Sequence, residues 1–414
     1  MKVKENTVIF NEQFRIPHAR DAINHIRYLV EFRGFEHIRL DFSRTEIAFA
    51  EAMVPLLSIC YKYKEDGVVF SIIRPKYSKL LKLFENARWT QVEHQLPIAE
   101  NKPMFGNLPL HHFRDASEQF TVVNRLIDSV LRVTNFLERQ HLKAMEWCLN
   151  EITDNVMRHS ESTLGGFVQL SIHRQAKEIE IVVSDPGIGI PASLRQAPHE
   201  IRRKLPDLDD DRIALEQAIK EGVTRGDGQG NGLFGSSQIC CLSGGPFYLN
   251  SGRGFLAIDR SGRAIARAQA SDFIGTHVVT TLSFSKPLLL EQSLTIGGRP
   301  FDPTDLVELS YEQSEEEDIL ELNLKDEVQS IGNRGAGAAL RIKIHNLMRF
   351  APEKTLVIDM SGVAVMSSSF ADEAFAKLRI ELGEERFHKK IQFKQIQPIN
   401  HQIISRSMRQ RAMK

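Results

Sequence analysis

The hydrophobic positions along the chain change period in a regular order. Near the start, TVIFN has strand character, and ARDAINHIRYLVEF carries its apolar residues at helical spacing. HIRLDF then predicts a strand, AFAEAMVPLLSICYKY a helix, GVVFSII a strand and YSKLLKLFENARW a helix, with Pro75 breaking the chain before the last. This alternation predicts a small α/β layer over residues 1–98. QLPIAENKPMFGNLPLHHFRD has no clear period, so residues 99–115 read as a linker. Two long helical patterns follow, then strands GGFVQLSIHR and EIEIVVSD, a long polar segment, a glycine cluster at 226–235, a helix and strands ending in THVVTTLSF. These make a larger α/β block over 116–286. Residues 287–317 look like a second linker, with GGRPFDPTD and an acidic run, EQSEEED, read as solvated. The last block, 318–414, repeats the order of the first: ILELNL, a helix over ALRIKIHNLM, TLVIDM, a helix over SSFADEAFAKLRIEL, KIQF and a terminal helix.

Composition narrows the function classes. At 414 residues the chain is too long for one core, which agrees with two or three domains. Lys plus Arg and Asp plus Glu both total 53, so there is no basic excess of the kind a nucleic-acid or acidic-membrane binder carries. No apolar run approaches the roughly 20 residues of a membrane helix. MKVKENTVIFNEQF lacks the apolar stretch of a signal peptide. The four cysteines, Cys60, Cys148, Cys240 and Cys241, show no C-x-x-C spacing and read as buried thiols. A cytoplasmic protein is expected.

Candidate chemistry sits in the middle block. Leu142, Met145, Leu149, Ile152 and Val156 step by three and four, one buried helical stripe, yet NEITDNVMRHS interrupts it with Glu151, Asp154, Asn155 and His159. Glu151 and Asn155 are four apart and share a face beside that stripe. An amide oxygen there can give Mg²⁺ one ligand, and a carboxylate can deprotonate a nucleophile attacking phosphate, though a solvated face with a capping role has the same pattern. SDPGIGIP puts Asp185 at a strand end before Gly187 and Gly189, where a carboxylate can accept a hydrogen bond from an exocyclic amine such as adenine's. Taken alone, D-x-G-x-G is also an ordinary strand-ending turn. GDGQGNGLFG, with glycines at 226, 228, 230, 232 and 235, runs into a helix and can cradle phosphate. It lacks the G-K-[ST] of a P-loop, and no strand immediately precedes it as a dinucleotide fingerprint requires.

In that order the three motifs resemble the N, G1 and G2 boxes of the GHKL superfamily of ATP-binding domains, the Bergerat fold of gyrase B, histidine kinases and anti-sigma-factor serine kinases. The resemblance covers about residues 115–285, and Gly275-Thr276 on the last strand matches a threonine that family members place beside the adenine pocket. It implies ATP and Mg²⁺ as ligands, Glu151 as catalytic base, Asn155 as the Mg²⁺ ligand and Asp185 as adenine anchor, with Asp154 of the first box also binding the cofactor. Gly187, Gly189 and Thr276 would shape the pocket, and Gly228, Gly230, Asn231, Gly232 and Leu233 would line the triphosphate. It also implies helices on one face of a mixed sheet, and a mobile lid over residues 191–227. HEIRRKL, 199–205, superficially looks like a histidine-kinase acceptor box, but it lies between the second and third motifs, where that family does not place it.

The last block is similar to STAS and STAS-like domains in TLVIDMSGVAVMSSSFADEAFAKL. Position by position, Ser368 falls where anti-sigma-factor antagonists carry a phosphorylatable serine, with Ser367 in place of the usual aspartate and Phe370 in place of a glycine; helix capping by either serine is the alternative. HIRLDFSRTEIAFAEAMVPLL in the first block shares the outline without a serine at its helix start. The expectation is a central GHKL domain between two small STAS-like α/β domains. It would act as a slow ATPase and switch that meets protein partners through the STAS-like domains, in bacterial regulation. A serine kinase phosphorylating a STAS serine and a non-catalytic nucleotide-holding scaffold are the alternatives. The helical region 116–136 offers a face for a homodimer.

Overall fold

The computed structural model describes residues 1–93, 106–134, 137, 139–203, 205, 207–220, 222–223, 232–285, 295–296, 299–300, 319–328, 331–332, 334–350 and 354–412. The chain divides into two compact units, Met1–Asp302 and Pro303–Lys414.

In the first unit, strands β1 (Lys2–Lys4) and β2 (Thr7–Ile9) form an antiparallel pair. A short pair, β3 (Gln13–Phe14) and β5 (Ile47–Ala48), brackets helix α1 (Ile16–Arg27) and β4 (His37–Asp41). Helix α2 (Ala50–Glu65), β6 (Val69–Ile73) and α3 (Ser78–Asn86) follow. β2, β4 and β6 run parallel in the order β1-β2-β4-β6, and parallel neighbours need crossovers, here α1 and α2. Burial alternates along β4 and β6, with Ile38, Leu40, Phe70 and Ile72 inward.

The chain then enters a second sheet through β7 (His111–Phe113), inside the stretch read as linker. Its two histidines hide the strand pattern, but Phe113 is fully buried and the strand pairs with β8 (Gly166–His173). Asp115 caps α4 (Ala116–Val133), accepting from the Ser117 and Glu118 amides at 2.8 and 2.9 Å. Next come α5 (Arg139–His159), β8, β9 (Glu178–Asp185), α6 (Gly189–Arg195), α7 (His199–Arg202), α8 (Asp211–Ala218), α9 (Gly232–Ser243), β10 (Phe247–Ile258) and β11 (Ala264–Ser283). The sheet order is β10-β11-β9-β8-β7, and every pairing is antiparallel.

Two expectations are corrected here. The sheet is not mixed, because hairpin neighbours β8–β9 and β10–β11 and the β9–β11 pairing all run antiparallel. Nor do helices cover one face only. α5 packs on one face together with α4 and α9, while α1 and α2 of the N-terminal block pack on the other. β8 is accordingly buried along nearly its whole length, the signature of a strand covered on both faces. Phe167, Val182, Phe273 and Val279 of this sheet join Met53, Leu57 and Trp89 of the N-terminal block in one core. Residues 1–93 and the central sheet thus share that core. Gln169, a polar residue in this contact, is fully buried and satisfied: it accepts from Trp89 Nε1 at 2.9 Å and donates to the Leu108 carbonyl at 2.9 Å.

In the second unit, strands Ile319–Asn323, Thr355–Asp359 and Ile391–Lys394 are parallel in that order. Helices Arg334–Phe350, Ser368–Ala371 continuing through Asp372–Ala376 into Lys377–Leu382, Glu384–Lys390 and Pro398–Ala412 surround them. Leu322, Ile344, Ile358, Phe370, Phe375 and Leu378 form its core. The stretch read as the second linker lies mostly outside the described residues, its described part being the antiparallel pair Thr295–Ile296 and Arg299–Pro300. Among the described residues no helix is long and apolar enough to cross a membrane.

Candidate functional site

The site is assembled at one end of the central sheet. On α5, Leu142, Met145, Leu149, Ile152 and Val156 are buried, which leaves Glu151 and Asn155 half-buried beside them. The first residue of α9, Gly232, rests on that pair. A Cβ at this position would lie 2.5 Å from Glu151 Oε2 and 3.3 Å from Asn155 Nδ2, so glycine is what lets the helix N-terminus come so close. Burial raises the Glu151 carboxyl above its ordinary range; the charge of Asp154 adds to this and Arg158 opposes it. Asn155 Nδ2 is buried and has no hydrogen-bond partner among the described residues. Asp154 turns elsewhere: it pairs with Arg158 one helical turn on, at 2.7 Å, with Arg158 exposed and Asp154 half-buried.

β9 delivers Asp185 to the same end of the sheet. Its carboxyl is 3% exposed, and Oδ1 accepts from the Gly187 amide at 2.9 Å. Burial pushes it up to about 7, against the opposing pull of the Gly187 and Thr276 backbone amides and of Lys62. Gly187 lies flat against the Ser160 carbonyl just past α5, and Ile188 donates to that same carbonyl at 2.8 Å. Gly189 and Gly275 both take positive φ, 79° and 78°, and a side chain at 275 would overlap the Asp185 carbonyl. Thr276 is directly opposite Asp185 in the β9–β11 ladder.

Ser251 on β10 ties these turns together and was not marked by any motif. Its buried hydroxyl donates to the Gly275 carbonyl at 2.8 Å, accepts from the Ile190 amide at 2.9 Å, and lies 3.5 Å from Thr276 Oγ1. Two basic side chains of the N-terminal block also reach this end. Arg20 is buried and donates to the carbonyls of Gly252, Gly254 and Ser271. Lys62 donates to the Pro186 carbonyl at 3.4 Å. Pairings across such sequence separations leave no local pattern to read.

The span expected to be a mobile lid, 191–227, is in its described part a set of packed helices. Leu194, Leu208, Ala214 and Ala218 form a small core of their own with Ile190 and Leu233 at its edge, and α8 packs on β10. Asp211 fixes the arrangement, pairing with Arg195 and accepting from the Arg253 amide at 2.7 Å. Asp210 caps α8. Gly228, Gly230 and Asn231 lie outside the described residues. The site therefore unites Glu151, Asn155, Gly232 and Leu233 on one side and Asp185, Gly187, Gly189 and Thr276 on the other.

In the second unit the capping alternatives separate. Ser367 is the cap, its hydroxyl accepting from the Phe370 amide at 3.0 Å, and Ser368 beside it is exposed.

Residues 141–285 match the family model described as "Histidine kinase-, DNA gyrase B-, and HSP90-like ATPase". This part of the chain is a GHKL-type ATPase domain. The match to the GHKL-type domain takes in α5 from His141 on, the turn after Asp185, α9 and β11. Residues 336–400 match a "STAS-like domain of unknown function". No curated protein and no solved structure matches the chain. A domain of the first kind points to ATP binding, and one of the second to a regulatory role through protein contacts.

Proposed function

We propose that the protein binds Mg-ATP in the GHKL-type domain, hydrolyses it slowly, and uses the nucleotide state as a switch for protein partners met through its STAS-like parts. The observation that carries this is the seating of the α9 N-terminus on Glu151 and Asn155. Backbone N–H groups at a helix start attract phosphate, so a triphosphate there would lie against a carboxylate and an amide. Asp185 would take the adenine amine, since an ionised carboxylate is a pure acceptor. Asn155 fits a share in Mg²⁺ binding: its amide is buried with an unpartnered end, and the assignment of its oxygen and nitrogen is interchangeable. No group of three or more His, Cys, Asp or Glu among the described residues could hold a metal by itself, so phosphates and water would supply the other ligands. When bound, Mg²⁺ neutralises charge building on the phosphates. Glu151, with its raised carboxyl, would take the proton of the attacking water. Phosphate release tests this: Glu151→Ala is expected to bind Mg-ATP normally and lose hydrolysis by about 10²-fold or more. Unchanged release would leave only a nucleotide-holding role.

A second reading is favoured by Ser368. With Ser367 occupied as the cap, the exposed neighbouring hydroxyl is available as a phosphoryl acceptor, in cis or on another chain. The domain would then be a serine kinase. Mass spectrometry after incubation with Mg-ATP decides it: a persistent phosphoserine at 368 supports the kinase, and free phosphate alone supports the switch.

A further inference from the structure

The carboxyl at the end of β9 is backed by a lysine from a different part of the chain. Lys62 lies in the last turns of α2, the helix that the N-terminal block lays across β8 and β9. Its ammonium donates to the carbonyl of Pro186, the residue directly after Asp185, at 3.4 Å. The Asp185 carboxyl is fully enclosed and accepts from the Gly187 amide, so it meets little water that could support its charge. Lys62 on α2 is the charged side chain that acts on it, His277 on β11 is kept neutral by burial, α5 ends in His159, and Glu31 lies within electrostatic reach of Lys62 from beyond α1.

We infer that Lys62 is a positioning residue of the nucleotide site: bonded to the Pro186 carbonyl, it sets a positive charge at the turn that carries the Asp185 carboxylate, which accepts a hydrogen bond from the adenine amine. The fused N-terminal block then supplies part of the adenine pocket's electrostatics. This role rests on the reading of Asp185 as the nucleotide anchor. It agrees with the direction in which Lys62 moves that carboxyl, opposite to the effect of burial. A second lock from the same block supports the geometry. Arg20 grips the carbonyls of Gly252 and Gly254, which follow Ser251, whose hydroxyl bonds Gly275 and Ile190.

The test is calorimetric titration of Mg-ATP into wild type, Lys62→Met, Lys62→Arg and Asp185→Asn, from about pH 6 to about pH 9. Wild-type affinity should rise as pH passes through about 7, where the carboxyl ionises. In Lys62→Met the midpoint should move up, so that binding is weaker near neutrality and equal at the alkaline end. Ionisation of the ATP phosphates is common to all the proteins and cancels in the comparison. Lys62→Arg should restore the wild-type midpoint, which a purely steric role would not require. An unmoved midpoint in Lys62→Met, or a loss of affinity equal at every pH, overturns the assignment. If wild type fails to bind, or Asp185→Asn binds as well as wild type, it is the nucleotide reading that has failed, and this role falls with it.

Discussion

At the scale of single residues, the site joins groups that work against stability. Asp185 is enclosed, and its carboxyl sits at about 7 in the folded protein against 3.8 ordinarily. Between those values the folded state keeps a proton that the unfolded chain has released, so stability falls as pH rises through that window. Asp185→Asn removes the slope. Thermal melting should find the variant more stable than wild type above neutral pH, by up to about 4 kcal/mol, with the difference vanishing in acid. A pH-independent difference would place the carboxyl in ordinary solvent. Gly232 makes a second case. Gly232→Ala sets a methyl 2.5 Å from Glu151 Oε2, so either α9 or the carboxylate must shift. Phosphate release should drop by about a hundredfold, as for other small misplacements, while the circular dichroism spectrum stays the same. Glu151 and Asn155 were legible in the sequence because a spacing of four on a helix is a local rule, and Asp185 because its glycines are adjacent to it. Ser251, Arg20 and Lys62 were not. Each acts across a fold-dependent contact, and a serine or lysine alone carries no mark of its partner.

At the scale of elements, the main event is the burial of the central sheet's second face under α1 and α2. α2 reads in sequence as a helix apolar almost all round, and such a helix is buried on more than one side. The partner that explains it, a sheet some hundred residues later, is what the sequence leaves unstated. Trp89 is the polar key of this contact, since its indole N–H satisfies the buried Gln169. Trp89→Phe keeps most of the packing and strands one amide oxygen, at a cost of about 1–3 kcal/mol. Chemical denaturation of the variant measures it; a change under half that range would mean that Gln169 finds another donor. The alternation of strands and helices in both outer blocks was readable from period alone. β7 was missed because three residues, two of them histidine, cannot display a period.

At the scale of the whole molecule, the N-terminal block behaves as part of the ATPase unit. Residues 1–302 should express as a stable, cooperatively unfolding protein, because they form one compact unit with a continuous core. A fragment starting at residue 106 would expose Phe167, Val182, Phe273 and Val279 and is expected to aggregate, which size-exclusion chromatography of the two fragments would reveal. A soluble, monomeric shorter fragment would show that the sheet does not need its cover. Residues 303–414 have their own apolar core and should fold alone. The most direct test of the account is calorimetric titration of Mg-ATP into wild type and Asp185→Asn at one alkaline pH, where the carboxyl is ionised. Binding by wild type that vanishes in the variant is the predicted result. Equal binding by both, or none by either, would contradict the nucleotide site built here on Glu151, Asn155 and Asp185.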